Sequence, residues 1–318
     1  MQRCLEHRAE VRASGAHRDS VEAGAATFDA VSDPEQPRRS VLYLPASNPR
    51  ALEKAKTLPV DTLVLDLEDA VAPEDKAAAR AAACAAVGSG EYGHRELTVR
   101  VNAVGTPWHE EDLAAVAAVG PDAVVVPKVE SAEQVREVLD ALAAAGAPET
   151  TTVWPMIETA RAVVHATDIA AGSDRVAALV LGTNDLLAQL RAQPVADRSP
   201  LLVAMSMVVL AARAVGAVAL DGVYNAVRDE EGLRRECEQA RDLGFDGKTL
   251  IHPTQVGPCN EVFAPGETEV EAAKGVVAAW EGRDGGGVAV HEGQMIEELH
   301  VAQARRVLAV ERAIRERR

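Results

Sequence analysis

Ser40-Val41-Leu42-Tyr43-Leu44-Pro45, followed closely by Asn48 and Pro49, is the stretch from which the fold is read. A short apolar run stops at a proline, and Asn48 with Pro49 then starts a helix through Lys56. The same unit returns along the chain. Strand-like runs are expected at 40–45, 61–66, 96–102, 123–127, 151–157, 175–181, 218–223 and 245–251. Between them lie helical stretches at 73–87, with Pro73 near its start, and at 109–119. Others follow at 131–145, where Ser131 and Gln134 have capping-box spacing, at 200–215 and at 230–243. Eight short apolar strands alternating with helices over roughly 225 residues predict an α/β fold, a (β/α)₈ TIM barrel, whose usual length is ~250 residues. A doubly wound open sheet would alternate in the same way. No Gly-x-Gly-x-x-Gly follows the first strand, which argues against its dinucleotide-binding form.

Outward from this rhythm the chain divides in three. Residues 1–37 are polar and lack a sustained apolar period, as a disordered or loosely attached tail would. Residues 38–264 hold the barrel. Residues 265–318 form a C-terminal helical extension: a helix at 267–281, a break at Asp284-Gly285-Gly286-Gly287, and a long charged helix at 296–317. Such an arm outside a complete barrel either covers the rim or reaches over a neighbouring subunit.

Composition supports the barrel and narrows the partners. Of 318 residues, 47% are hydrophobic but only 3% aromatic, so the core is aliphatic. That suits a parallel sheet covered by helices. A net charge of −16 argues against nucleic acid or an anionic membrane as partner. An anionic substrate would therefore need a local cation, an arginine or helix N-termini. Cys4, Cys84, Cys237 and Cys259 are scattered, with no CxxC pair, as expected of reduced thiols in a cytosol and not of a zinc site. No apolar run approaches the ~20 residues of a membrane span, and the first residues lack a signal-peptide core. A cytoplasmic location is expected.

In such barrels the chemistry sits where strands end. The second strand ends in Asp66-Leu67-Glu68-Asp69, the third carries Arg100 and Asn102, and the fourth leads into Pro127-Lys128-Val129-Glu130. The fifth and sixth lead to Glu158 and Asp185, the seventh to Tyr224-Asn225, and the eighth to His252-Pro253-Thr254-Gln255. Singly, Glu158 reads as an exposed loop acid and Asp185 as a helix N-cap. As two acids at one rim, with room for water and a substrate oxygen, they suit Mg²⁺. An arginine inside an apolar strand needs a partner. Arg100 therefore either neutralises Asp66 or Glu68 or faces an oxygen that gains negative charge, and the two roles are compatible. Lys128 reads as a rim salt bridge or, alternatively, as a Schiff-base lysine. His252 reads as a cap of the eighth loop, since no second histidine lies at a ligand spacing.

Taken in order, these motifs resemble the citrate lyase β-subunit-like family, within the aldolase/citrate lyase barrel group that includes malyl-CoA and citramalyl-CoA lyases. The residues that carry the likeness are Arg39 to Pro45, Asp66-Leu67-Glu68-Asp69-Ala70-Val71, Arg100-Val101-Asn102 and Pro127-Lys128-Val129-Glu130. Met156-Ile157-Glu158-Thr159, Gly182-Thr183-Asn184-Asp185-Leu186 and Gly244 to Gln255 complete the set. The resemblance implies a Mg²⁺-dependent barrel, usually a trimer or hexamer, that makes or breaks a carbon–carbon bond in a 3-hydroxyacyl thioester. It implies Glu158 and Asp185 as metal ligands, Arg100 near the thioester carbonyl, and Glu68 beside this arginine. It places the segment holding Lys248, His252 and Gln255 near the coenzyme A arm. Free coenzyme A and an acyl carrier protein both stay open as the thioester's carrier.

One motif departs from the family. Its C-terminal segment reads Gly-Lys-Met-Ile-Asp, with the aspartate donated across a subunit boundary as acid/base. Here Gly293-Gln294-Met295-Ile296-Glu297 carries a carboxyl one methylene longer. A misplacement near 1 Å can cost ~10²-fold in rate. The expected activity is thus a lyase acting on malyl-, citramalyl- or citryl-CoA. The alternatives are a thioesterase or malate-synthase-like activity at the same site, and a non-catalytic assembly subunit.

Overall fold

The computed structural model describes residues 36–283 and 287–317, so the expected tail falls almost wholly outside them. Strands β1 (Ser40–Pro45), β2 (Thr62–Asp66), β3 (Glu96–Arg100), β4 (Ala123–Val126), β5 (Thr152–Ile157), β6 (Ala178–Leu181), β7 (Val218–Asp221) and β8 (Gly247–Leu250) form a closed barrel in sequence order. All neighbours pair in parallel, and β8 returns to β1 through Ser40↔Lys248. Around it run α1 (Pro49–Ala55), α2 (Lys76–Ser89), α3 (His109–Val119), α4 (Ala132–Ala144), α5 (Ala160–Val164), α6 (Ala166–Ala170), α7 (Thr183–Leu190), α8 (Leu202–Ala214), α9 (Glu230–Leu243) and α10 (Val256–Phe263).

Local chemistry places these ends. Asn48 accepts the Ala51 N–H at the start of α1, with Pro49 in the first turn, and Ser131 accepts the Gln134 N–H at the start of α4. Strand β3 stops at Arg100, short of the expected Asn102. The Asn102 backbone N–H and side-chain amide both donate to Asp112 Oδ2, at 3.0 and 2.6 Å, and are lost to the ladder.

The strands alternate between two cores. Val41, Val64, Val125, Trp154, Met156, Val180 and Leu220 pack together inside the barrel. Leu42, Leu63, Leu65, Leu97, Val124, Ile157 and Leu179 face the helices. Each fully buried Leu or Val stabilises the fold by about 1.5–3 kcal/mol, and both cores depend on the same alternation of every strand.

Beyond the barrel, α11 (Glu267–Glu281) and α12 (Glu298–Glu316) are joined through an antiparallel hairpin, β9 (Ala289–His291) and β10 (Gln294–Ile296). The hairpin corrects the expectation of a helix from 296. Glu292 and Gly293 both adopt left-handed backbone (φ 48 and 76), the geometry of a two-residue hairpin turn. Ala289, Ile296 and Val301 pack with Val276 and Trp280 in a cluster separate from the barrel cores. From the middle of α12, Arg306 binds Asp246 Oδ1 at 2.5 Å, and at its C-terminal end Arg317 lies 3.5 Å from Asp61 Oδ1. Asp61 and Asp246 precede β2 and β8, so the arm is anchored at the N-terminal face of the barrel. The strand ends of the rim lie on the opposite face.

Candidate active site

At the opposite, C-terminal rim, β2 ends on Asp66, whose carboxylate accepts the N–H groups of Glu68 (2.9 Å) and Ala70 (3.1 Å). The turn is wound around this buried carboxylate. Arg100 lies beside Asp66 in register on β3. It donates Nε and Nη2 to the two Asp66 oxygens at 2.7 and 2.6 Å, and its Nη1 lies 2.9 Å from Glu68 Oε2. Burial pulls the Arg100 pKa down, but hydrogen bonding to Asp66 and that residue's charge outweigh it and hold the group above its ordinary value. Arg100 therefore does neutralise Asp66 and Glu68. That bidentate grip also fixes the plane of the guanidinium. Behind the turn, Lys76 Nζ donates to the carbonyls of Leu67 and Glu68 and to Asn102 Oδ1, each at 2.7 Å.

Glu158, just past β5, is 2% exposed. Its Oε1 accepts the backbone N–H of Lys128 at 2.7 Å. Lys128 can aim that N–H because its backbone is left-handed (φ 54), uncommon for a residue with a side chain. The Lys128 ammonium reaches Glu68 Oε1 at 3.0 Å. Burial lowers the Lys128 pKa, but bonding to Glu68 outweighs this and raises it, so the amine stays charged and the salt-bridge reading prevails over the Schiff base. Glu158 itself is pushed up to about 7, first by burial and then by the charges of Glu68 and Asp185. It is a carboxylate crowded by other carboxylates, with Arg100 offsetting them only in part.

Asp185 is exposed in the first turn of α7 and is not its N-cap, which is Gly182. Strands β5 and β6 pair through Ile157↔Leu181, so Gly182 lies against Glu158. A Cβ at Gly182 would run into Cβ and Oε2 of Glu158. Among the described residues no group of three or more His, Cys, Asp or Glu converges as a complete metal cage. Mg²⁺ needs none: it is commonly held by one or two carboxylates plus water and substrate oxygens. Glu158 and Asp185, two hard oxygen donors short of positive charge, fit that ion.

The other expected residues are placed differently. Lys248 is fully buried and turned outward from the barrel, 2.6 Å from Asp221 Oδ2 and 2.9 Å from Glu236 Oε2. That corrects the expectation that it meets coenzyme A: outward alternation in β8 puts it between β7 and α9. Gln255 is also buried, accepting the N–H groups of Ile251 and His252 and donating to Tyr224 O. His252 is exposed and caps the turn at Pro253–Gln255, as expected. Glu297 caps α12 and pairs with His300 within the arm, so Glu158, Glu68 and Arg100 come together without it. Gly182 stands in one of the quoted motifs but without a role there, and Lys76 stands in none. No local spacing signals either role, because each depends on a contact between separate elements.

A closed parallel barrel whose C-terminal rim gathers Asp66, Glu68, Glu158 and Asp185 around Arg100 defines a class of enzyme suited to steadying a developing oxyanion beside a hard cation. Residues 39–253 match the HpcH/HpaI aldolase/citrate lyase family. The chain belongs to that family and is an enzyme of the lyase class. It is 47% identical over 280 residues to a (3S)-malyl-CoA thioesterase of Cereibacter sphaeroides (strain KD131 / KCTC 12085), covering 87% of this chain and 96% of the relative. The citrate lyase subunit beta of Leuconostoc mesenteroides subsp. cremoris is 37% identical, over 88% and 95%. Among solved structures, CitE of Mycobacterium tuberculosis in complex with magnesium, acetoacetate and coenzyme A superposes with a TM-score of 0.70. That structure is 32% identical, and the match covers 87% of this chain and 99% of the other.

Proposed function

We propose that this protein is a Mg²⁺-dependent carbon–carbon lyase that cleaves or forms a small 3-hydroxyacyl-CoA thioester of the malyl, citramalyl or citryl type. The carrying observation is the crowding of Glu158 by Glu68 and Asp185 beside an aimed Arg100. Glu158 and Asp185 would hold the ion. Bound there, Mg²⁺ would supply a Lewis acid to the substrate's oxygens, so that its hydroxyl proton could pass to water. Arg100, held in plane by Asp66, faces the thioester oxygen that gains charge as the carbon–carbon bond breaks and the enolate forms. The enolate carbon then takes a proton. Glu297 of a neighbouring copy is the acid we assign to that step, since this chain's own arm is anchored at the opposite face. Val288, Val290, Met295 and Leu299 are 50–70% exposed at the arm's tip, as a segment seated on a second subunit would require. A homotrimer or a hexamer of trimers accommodates this exchange. The free thiols Cys84, Cys237 and Cys259 favour a reducing cytoplasm, and no helix among the described residues is long and apolar enough to cross a membrane.

Thioester hydrolysis at the same site is the second reading, favoured by the 47% identity to a malyl-CoA thioesterase and by Glu297 where the lyase motif has Asp. One assay separates them. With Mg²⁺ and malyl-, citramalyl- or citryl-CoA, cleavage releases the matching keto acid with an acyl-CoA. Hydrolysis releases free coenzyme A and no keto acid. Free coenzyme A without glyoxylate, pyruvate or oxaloacetate would overturn the lyase reading.

A further inference from the structure

Tyr43 has no part in the chemistry above, yet it lies directly beneath it. Its side chain enters the barrel from β1, paired in register with Val64, and tops the inner core. The ring faces the Arg100 guanidinium at 4.7 Å. The hydroxyl reaches across the mouth to Met156 Sδ on β5, at 3.8 Å. Tyr43 thus bridges β1 to β5 under the acid cluster and makes the floor of the site.

The hydroxyl is poorly matched where it stands. A thioether is a weak acceptor, and an inward tyrosine normally finds an oxygen or nitrogen for its O–H. Tyr92, sealed in the outer core, does so through Leu52 O at 3.2 Å. Tyr43 differs in being only partly buried. Burial, opposed by Arg100 and helped by Asp66, Glu158 and Glu68, holds the phenol above its ordinary range, and a phenol is a neutral donor at about pH 7 even without that shift.

We infer that Tyr43 contacts the substrate: its phenolic O–H donates to an oxygen of the acyl unit lying between Arg100 and the Glu158/Asp185 pair, and its ring sets the depth of the mouth. The inference rests on the acyl-thioester reading of the site. No covalent step is involved, because the group acts as a neutral donor whose acceptor strengthens as charge moves onto the acyl oxygens.

The test is Tyr43→Phe, which keeps the ring on Arg100 and removes one oxygen. Turnover and equilibrium binding of malyl-CoA in the presence of Mg²⁺ are both measured, the latter by calorimetry. Loss of a hydrogen bond to a charged oxygen predicts a roughly ten- to hundredfold fall in kcat/KM. Weaker binding should accompany it, with the Mg²⁺ activation constant and the melting temperature unchanged. A merely structural tyrosine would instead shift the melting temperature and leave binding alone. Kinetics and binding within about twofold of the parent would overturn the inference. If the unmodified enzyme binds malyl-CoA but turns over none of the thioesters, the lyase reading falls while the binding comparison still decides on Tyr43. Undetectable binding by the unmodified enzyme would sink both.

Discussion

Glu158 carries opposite demands. Its pKa rises from 4.5 to about 7 in the fold, chiefly because burial strips water from the charged form. A raised carboxyl contributes fully to stability below about pH 4.5, and that contribution is lost as pH climbs through 7. At pH 8 the metal-free protein therefore carries a charge only partly compensated, costing on the order of 1–3 kcal/mol. Glu158→Gln should abolish Mg²⁺-dependent turnover while melting no lower than the parent at pH 8 without metal, and the two should converge at pH 5. Full activity in the variant, or a clearly lower melting temperature at pH 8, would contradict this. By the same sign, Mg²⁺ affinity should climb between pH 6 and 8, with protons released on binding, readable by calorimetry in buffers of different ionisation enthalpy. Gly182 tests the geometry from the other side. Gly182→Ala pushes a methyl into the Glu158 carboxylate and should cut kcat by ~10²-fold. A variant that kept parental kcat and Mg²⁺ activation would show that the close approach is dispensable.

Between elements, β7, β8 and α9 are tied by charge. Burial raises the Asp221 pKa, yet Lys248 and Arg198 hold it below the usual carboxylate range. Arg198 reaches both Asp221 oxygens, at 2.9 and 2.8 Å. Lys248→Ala leaves Asp221 with half its compensation and opens a cavity, so it should destabilise the protein by about 3–5 kcal/mol in urea unfolding. Folded Lys248→Ala enzyme should keep the parental KM for its thioester. A raised KM with unchanged stability would restore the coenzyme A role to this lysine. The same outward alternation explains why a lysine in a strand-end motif is no guide to the ligand.

For the whole molecule, the position of the arm decides whether one chain is a complete enzyme. Glu297 lies at the tip of an arm whose last helix, α12, is anchored to the N-terminal barrel face through Arg306 and Arg317. Glu297→Ala and Glu158→Ala should each be inactive alone. After subunit exchange, mixing the two should recover partial activity, because some sites then combine an intact rim with an intact arm. Continued inactivity in mixed oligomers, verified by mass, would rule out the exchange.

Local pattern was enough to set the barrel and to name its rim acids. Eight alternating runs such as Val41 to Leu44 are a local, periodic signal, and strand ends fall next to the turn residues that stop them. Glu158, Asp185, Glu68 and Arg100 were legible because they stand at those ends. Which groups meet follows from the closed sheet alone. Lys128 turning its amide onto Glu158, Gly182 making room for that carboxylate, and Tyr43 crossing from β1 to β5 depend on register between strands far apart in sequence. Lys248 went the other way, since one step of alternation separates the inner face from the outer. Periodicity is written along the chain, whereas contact is set by closure of the sheet, and no window of local sequence contains both partners.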